Sequence, residues 1–222
     1  MTDGSGVFVV FEGGDSVGKS TQVRMLAEWL RHEHVEHLVT HEPGDTWLGQ
    51  QVRRLVLDVD SGSISPRTEA LLYAADKAQH VDEVVIPALE RGLVVISDRY
   101  VDSTLAYQGA GRVLAIDEVE AVARWATHDL RPDLTILLDA APDQAVSQLA
   151  QKDRLEREGE DFHSRVRGYF LDLAARDPEH YLVLDARDTR ESLARAIRHR
   201  VDELRGVDEQ RTQKLSLADG RI

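Results

Sequence analysis

The segment Gly13-Gly14-Asp15-Ser16-Val17-Gly18-Lys19-Ser20 decides the fold of this 222-residue chain. Two glycines enclose four residues and are followed by Lys and Ser, which is the Walker A pattern of phosphate-binding loops. The apolar run 7–11 before the loop suits a buried strand. After the loop, apolar residues recur at the i, i+3, i+4, i+7 spacing of a helix, at Val23, Leu26, Ala27 and Leu30. A strand, the loop and an amphipathic helix in this order predict a nucleoside triphosphate site.

Each residue type in this loop suits the binding of phosphate. Backbone N–H groups of a glycine-rich turn form an anion nest, and the helix N-terminus adds partial positive charge. We expect Lys19 to reach the β- and γ-phosphates of ATP and the Ser20 hydroxyl to ligate Mg²⁺. The predicted ATP-binding residues are Gly13, Gly14, Asp15, Ser16, Val17, Gly18, Lys19, Ser20 and Thr21.

Five short apolar segments predict the strands of a sheet, at residues 7–11, 35–39, 93–97, 134–138 and 181–184. Runs without polar alternation suit strands buried on both faces, and helical patterns lie between them. We therefore predict an α/β chain with the three-layer P-loop NTPase fold, in which helices flank a five-stranded parallel sheet and a short lid is added. Residues 1–206 are predicted to form a single domain with the lid at about 148–161, and residues 207–222 a loosely ordered C-terminal tail.

Two further helices have recognisable starts. The first is predicted to begin at Ser65-Pro66 and to be kinked or ended by Pro87. Its expected inward residues are Leu71, Ala74, Ala75, Ala78, Val81 and Val85. The last is predicted to start at Asp188, with Glu191 completing a capping box. Its expected apolar stripe is Leu193, Ala196, Ile197 and Leu204. In the charge-dense stretch 151–161, a mobile flap and a solvated helix face explain the composition equally well.

The composition restricts the function classes. Forty acidic residues against 27 basic ones give a formal net charge of -13, which disfavours binding to long nucleic acid. With no cysteine, disulfides, zinc–thiolate sites and cysteine nucleophiles are excluded. The polar N-terminus shows no secretory signal, and no apolar run approaches the roughly 20 residues that span a bilayer. We therefore expect a cytoplasmic protein with no membrane partner.

The residues after the third predicted strand suggest a second ligand. Asp98 ends the strand, where its carboxylate can support Mg²⁺, so Ser20 and Asp98 are the predicted metal ligands. Arg99 follows at once, and a phosphate contact and a structural ion pair with Asp98 explain this arginine equally well. Hydroxyl, amide and aromatic side chains come next, which suits a second nucleotide-like molecule. Because the chain contains no asparagine, it lacks the Asn-Lys-x-Asp motif of guanine-binding GTPases.

Several stretches resemble the thymidylate kinase family of P-loop nucleoside-monophosphate kinases. They occur in order over about residues 7–200, and several are individually distinctive. They are Phe11-Glu12-Gly13, His41-Glu42-Pro43-Gly44, Ala75-Asp76-Lys77-Ala78-Gln79-His80, Asp98-Arg99-Tyr100, Ala106-Tyr107-Gln108-Gly109-Ala110-Gly111-Arg112, Arg131-Pro132-Asp133-Leu134, Asp153-Arg154-Leu155-Glu156 and Arg165-Val166-Arg167 with Tyr169. The resemblance implies Mg²⁺-dependent transfer of the ATP γ-phosphate to dTMP, giving dTDP and ADP, by a homodimer whose other partners are small nucleotides.

The family pattern also assigns roles to individual residues. It implies that Asp15 holds the sugar 3′-hydroxyl, that Tyr73 stacks on thymine and that Arg99 grips the acceptor phosphate. The complete implied substrate set is Asp15, Pro43, Tyr73, Lys77, Arg99, Ser103, Tyr107 and Gln108. The implied catalytic set is Lys19, Arg99, Arg154 and Asp98, with Arg154 closing from the lid over the phosphates.

Four departures from the family pattern concern rate and base selectivity. Ser16 replaces the usual Gly, and His41 and Asp45 replace an Arg and a second Gly. Lys77 stands where an Arg is usual, and an ammonium lacks the planar fork of a guanidinium. The lid is short and poor in arginine. These four departures leave two alternatives to dTMP kinase activity. One is a kinase for another pyrimidine or modified deoxynucleoside monophosphate, and the other is a nucleotide-binding relative with little turnover.

Overall fold

A computed structural model describes residues 6–58, 62–141 and 153–219, without the side chains of 207–219. The strands in these ranges are β1 (Val7–Gly13), β2 (His37–His41), β3 (Val94–Asp98), β4 (Leu134–Asp139) and β5 (Tyr181–Asp185). The α-helices are α1 (Lys19–His32), α2 (Trp47–Leu57), α3 (Pro66–His80), α4 (Ile86–Glu90), α5 (Val101–Thr104), α6 (Ile116–Ala126), α7 (Glu160–Arg176) and α8 (Arg190–Asp219). Two π-helical segments join them, Val81–Val85 and Leu105–Gly111.

The strands form one parallel sheet in the order β2-β3-β1-β4-β5. Parallel strands put their carboxyl ends at one edge, and there Phe11 of β1 lies opposite Asp98 of β3. From β1 the chain crosses towards β2, whereas from β3 it crosses to the other side, towards β4. Ligands of open α/β sheets bind at such a switch point. The predicted five-stranded P-loop fold is confirmed.

Alternating side chains of β1 build the core on both faces of the sheet. Val7, Val9 and Phe11 pack in the cluster that includes α1 and α8, whereas Phe8 and Val10 pack against Val81–Val85 and α4. All five side chains are almost fully buried, which is why the strand reads as a continuous apolar run. Among the described residues, no helix is both long and apolar enough to cross a membrane.

The inward face of α3 differs from the prediction. Leu71 is 59% exposed and Ala75 also faces solvent, so the expected inward positions of these residues are wrong. The buried face carries Ala74, as expected, but otherwise polar and aromatic side chains, at Glu69, Tyr73, Asp76, Lys77 and His80. Apolar periodicity located the helix but not its face, because Glu69, Lys77 and His80 are buried against charged and polar partners on other elements.

The helix also continues beyond the proline expected to disturb it. Val81–Val85 is π-helical, and Pro87 lies in the first turn of α4, which runs to Glu90. A proline in the first turn of a helix needs no N–H donor, so Pro87 does not end the helical segment.

Both ends of α8 lie away from their predicted positions. Thr189 rather than Asp188 caps the helix, since its Oγ1 accepts a hydrogen bond of 3.2 Å from the Ser192 N–H. The helix continues to Asp219, and the loose order expected of residues 207–222 stays a prediction. Residues 220–222 of the predicted tail, and residues 148–152 of the predicted lid, lie outside the described residues.

Candidate active site

The Walker A loop forms the turn between β1 and α1. Gly13 has a φ of 129°, and a Cβ there would lie 2.4 Å from the Leu138 carbonyl oxygen, so only glycine fits. Lys19 Nζ donates to the carbonyl oxygens of Gly13, at 3.0 Å, and of Gly14. All nine predicted ATP-binding residues lie in this turn or in the first turn of α1.

Lys19 is buried among charges of both signs. Burial lowers the pKa of its ammonium to about 8, and the nearby positive charge of Arg99 acts in the same direction. The carboxylates of Asp15, Asp98 and Glu12 oppose this shift. The lysine charge is therefore held where solvent screens it little, which suits the stabilisation of a phosphate chain.

Ser20 and Asp98 meet at the carboxyl edge of the sheet. The Ser20 hydroxyl donates to Asp98 Oδ2 at 2.9 Å, so a hydroxyl and a carboxylate lie side by side next to the loop. Mg²⁺ prefers oxygen ligands and takes the remainder from water and substrate phosphates. Within the described ranges no group of three or more His, Cys, Asp or Glu side chains could hold a metal ion. The pair fits Mg²⁺ that is carried by a nucleotide.

Arg99 bridges the P-loop and the segment after β3. Its Nη1 donates to the Gly13 carbonyl oxygen at 3.1 Å and to Ser103 Oγ at 3.0 Å, and its Nη2 forms an ion pair with Asp15. The guanidinium lies 5.1 Å from the centre of the Tyr107 ring, and the Tyr107 hydroxyl donates to Asp15 at 3.1 Å. The alternative of an ion pair with Asp98 is thus corrected, because the carboxylate that bonds Arg99 belongs to Asp15.

Glu12 is a buried residue next to the site that the sequence reasoning did not assign. Its fully buried carboxylate accepts hydrogen bonds from the backbone N–H groups of Tyr100, at 2.9 Å, and Ser103, at 3.1 Å. It also accepts from the Ser103 hydroxyl at 2.6 Å. These bonds fix the residue before α5 and the helix itself relative to β1, which positions Arg99. The available signal was a glutamate within an otherwise apolar buried strand.

A cavity of about 170 Å³ opens beside Arg99. Its walls contain all eight predicted substrate residues: Asp15, Pro43, Tyr73, Lys77, Arg99, Ser103, Tyr107 and Gln108. The other lining residues are Glu42, Arg53, Leu57, Thr104, Asp153, Leu155 and Glu156. Residues from five separate stretches of the chain thus converge on one space next to the phosphate loop. We call this space the acceptor cavity.

Lys77 belongs to a chain of buried polar groups that starts in the wall of the acceptor cavity. Its Nζ lies 2.7 Å from Glu42 Oε2, and His80 Nδ1 lies 2.7 Å from Glu42 Oε1. The other ring nitrogen of His80 lies 2.6 Å from the Thr40 hydroxyl. Burial raises the pKa of Glu42, but the charge of Lys77 and the contacts with His80 outweigh it and keep the pKa below its usual value. Glu42 is therefore ionised and neutralises Lys77.

Asp76 is the residue of this region whose buried carboxylate has too few hydrogen-bond partners. Its buried carboxylate accepts from the Gly44 N–H at 3.1 Å, while its other oxygen has no partner among the described residues. Burial and repulsion from Glu42 raise its pKa from 3.8 to about 6, against the attraction of Lys77 and His80. Between these two pH values the folded state holds a proton that the unfolded state has lost. Stability therefore falls as the pH rises through this window.

We expect Asp76→Asn to relieve this cost. Because the amide stays neutral at every pH, the substitution should stabilise the protein more at about pH 7.5 than at about pH 5. The increase in the free energy of unfolding over the wild type should be larger by roughly 1 kcal/mol at the higher pH. Urea unfolding of the variant and the wild type at both pH values measures the difference. Asp172→Asn, at an exposed position of α7, is the matched control and should show no such difference. An equal effect of Asp76→Asn at both pH values would contradict the raised pKa.

The structure separates Arg154 from the other predicted catalytic residues. Its guanidinium forms an ion pair with Glu69, and its Nε donates to the Val56 carbonyl oxygen at 2.8 Å. It does not line the acceptor cavity. Here a fully buried carboxylate binds its guanidinium, and its expected role over the phosphates stays a prediction. No sequence signal linked Arg154 to Glu69, which lies 85 residues earlier.

The fold and the two adjoining sites define a class. A Walker A loop at the switch point of a parallel sheet, with an arginine-walled acceptor cavity beside it, is the arrangement of a P-loop nucleoside-monophosphate kinase. A family model described as "Thymidylate kinase" matches residues 11–197. The chain belongs to the thymidylate kinase family.

Individual relatives agree with this assignment. The chain is 62% identical over 196 residues to a thymidylate kinase of Cutibacterium acnes, covering 88% of this chain and 96% of the relative. It is 54% identical over 202 residues to that of Clavibacter sepedonicus, covering 88% and 94%. It is 50% identical over 204 residues to that of Bifidobacterium longum (strain NCC 2705), covering 90% and 99%. The similarity extends over nearly the whole length of each relative.

Proposed function

We propose that this protein transfers the γ-phosphate of ATP to dTMP, giving dTDP and ADP. The observation that carries the proposal is the convergence of eight separately predicted residues on one cavity beside the Walker A loop. The chain's membership of the thymidylate kinase family supports the same reaction. The reaction forms an oxygen–phosphorus bond to the acceptor phosphate and breaks the bond between the β- and γ-phosphates.

On the donor side, Lys19 and the loop N–H groups hold the β- and γ-phosphates. Phosphoryl transfer needs little covalent help from a protein, because positioning and charge stabilisation provide most of the catalysis. Ser20 and Asp98 would hold Mg²⁺, which when bound neutralises phosphate charge. Lys19 is buried, so water competes little with its contact to the phosphates.

On the acceptor side, Arg99 grips the phosphate of dTMP from the mouth of the cavity. Asp15 and Tyr107 face the deoxyribose, and the Tyr73 ring stacks on the base. The Tyr73 pKa is raised to a value that keeps the phenol neutral at all physiological pH, chiefly because the side chain is buried. A neutral flat ring suits a pyrimidine.

An acceptor panel tests this function. We expect kcat/KM for dTMP to exceed that for the ribose counterpart and for AMP and GMP by at least about tenfold, since the cavity is small and Asp15 and Tyr107 face the sugar. A coupled ADP-release assay with each monophosphate measures this preference. Better use of another pyrimidine monophosphate would redirect the proposal to that acceptor. Equal use of AMP or GMP would reject the acceptor assignment, and no ADP release with any acceptor would reject kinase activity.

Two further properties extend the proposal. We infer a homodimer from the family resemblance. We infer a cytoplasmic location from the same resemblance and from a cysteine-free sequence, which suits a reducing compartment. Sedimentation equilibrium of the purified chain tests the first.

A further inference from the structure

Glu69 is a buried carboxylate on α3, and none of the catalytic roles proposed above involves it. Its side chain is fully buried, and three donors from other parts of the chain converge on it. Oε1 accepts from Gln108 Nε2 at 3.0 Å and from Arg112 Nε at 3.1 Å. Oε2 accepts from Arg112 Nη2 at 3.3 Å and from Arg154. The carboxylate thus joins a residue of the acceptor cavity to two arginines.

Glu69 is held in its ionised form. Burial raises the pKa of this carboxyl, but hydrogen bonds from Arg112, Gln108 and Arg154 outweigh burial and leave the pKa below its usual value. An ionised carboxylate only accepts hydrogen bonds, whereas a side-chain amide has one donating and one accepting end. Gln108 must therefore turn its NH₂ group to Glu69.

This constraint determines what Gln108 offers to a ligand. Gln108 is almost fully buried and lines the acceptor cavity together with Tyr73 and Lys77. With its NH₂ group directed to Glu69, the amide carbonyl is the end left to serve a base. A carbonyl accepts from a ring N–H, as in thymine or uracil, and repels the ring nitrogen lone pair of cytosine at the same position.

We propose that Glu69 is a positioning residue that fixes the Gln108 amide and thereby selects bases with an N–H at the pyrimidine 3-position. This inference rests on the proposed function, which makes the cavity the site of a pyrimidine monophosphate. Glu69 does not line the acceptor cavity. Its influence passes through one hydrogen bond to Gln108.

The isosteric change Glu69→Gln tests the proposal. Arg154 and Arg112 Nη2 both donate to Oε2, so they will hold the new carbonyl on that side. The new NH₂ group then takes the place of Oε1 and faces Gln108, and the hydrogen bond from Arg112 Nε at that atom is lost. Gln108 must then reverse and present its own NH₂ group to the cavity. We expect the Kd for dTMP to rise by at least roughly tenfold, and the ratio of the Kd for dCMP to that for dTMP to fall by at least as much. Isothermal titration calorimetry with each nucleotide measures both values without turnover.

Glu158→Gln is the matched control. Glu158 pairs with Arg112 from the opposite side and has no described bond to Gln108, so both Kd values should stay within about threefold of the wild type. Equal weakening of dTMP and dCMP in Glu69→Gln would overturn the proposal, because a merely structural role loosens the cavity for both. The same selectivity change in Glu158→Gln would also overturn it.

A second variant covers the case in which Glu69→Gln does not fold. Gln108→Met removes the amide and keeps Glu69 with both arginines. We expect it to bring the two Kd values to within about threefold of each other. Unchanged selectivity in this variant would overturn the proposal. The proposed function is judged separately by the ADP-release panel, since a chain that binds dTMP selectively without turnover would fail only that assay.

Discussion

Replacing Lys19 with Met should lower kcat by at least roughly a thousandfold while the chain still folds. Lys19 is the only side-chain cation within residues 13–20. A single preorganised donor to developing charge typically contributes about 10²–10³ in rate, and a full cation on a phosphoryl group contributes more. Stability should not suffer, because the lowered pKa shows that the folded state disfavours the buried ammonium.

Two measurements separate chemistry from folding in this experiment. ADP release gives kcat, and thermal unfolding should show a melting temperature that falls by no more than about 4 °C. Arg24→Met, at an exposed cation of the same helix, is the control and should keep wild-type kcat. Turnover of the Lys19 variant within about tenfold of wild type would exclude the assigned role of the Walker A loop.

Arg99→Lys should lower kcat/KM for dTMP by at least roughly a hundredfold. The guanidinium of Arg99 donates to Gly13, Ser103 and Asp15 from two nitrogens and faces the Tyr107 ring. An ammonium keeps the positive charge that the partly buried Asp15 needs, so folding is preserved. It has no planar fork to bind a phosphate while it holds these partners.

Varying each substrate in turn localises the effect. The KM for ATP should stay within about threefold of wild type, since the predicted donor contacts come from the P-loop. Arg91→Lys, at an exposed position before β3, is the matched control and should change neither constant. If KM for ATP rises as much as KM for dTMP, Arg99 shapes the whole loop rather than gripping the acceptor.

The sequence predicted the sheet and the P-loop because their signals are local. Apolar runs located all five strands to within a few residues, and two glycines with Lys19 and Ser20 located the loop. The contents of the acceptor cavity were predicted from motifs of the family. Their convergence on one space agrees with that reasoning, whereas the part each residue has in catalysis stays a prediction.

What the sequence did not reveal depends on long-range pairing of buried charges. Any prediction based on hydrophobicity places the polar inner face of α3 on the surface, because glutamate and lysine, as at Glu69 and Lys77, are rarely buried unless paired. Their partners Arg154 and Glu42 lie 85 and 35 residues away along the chain. For the same reason Arg154 was expected over the phosphates, although its guanidinium is bound to Glu69.

The ion pair between Arg99 and Asp15 makes acceptor binding an exchange of anions. The guanidinium already has a carboxylate partner, so an incoming phosphate must share or displace that partner rather than meet an uncompensated charge. The net gain in free energy is the difference between two ion pairs, which is smaller than either alone. We therefore expect the nucleotide to bind with moderate affinity and the diphosphate product to leave quickly. A carboxylate that competes for the arginine thus favours rapid turnover over tight retention.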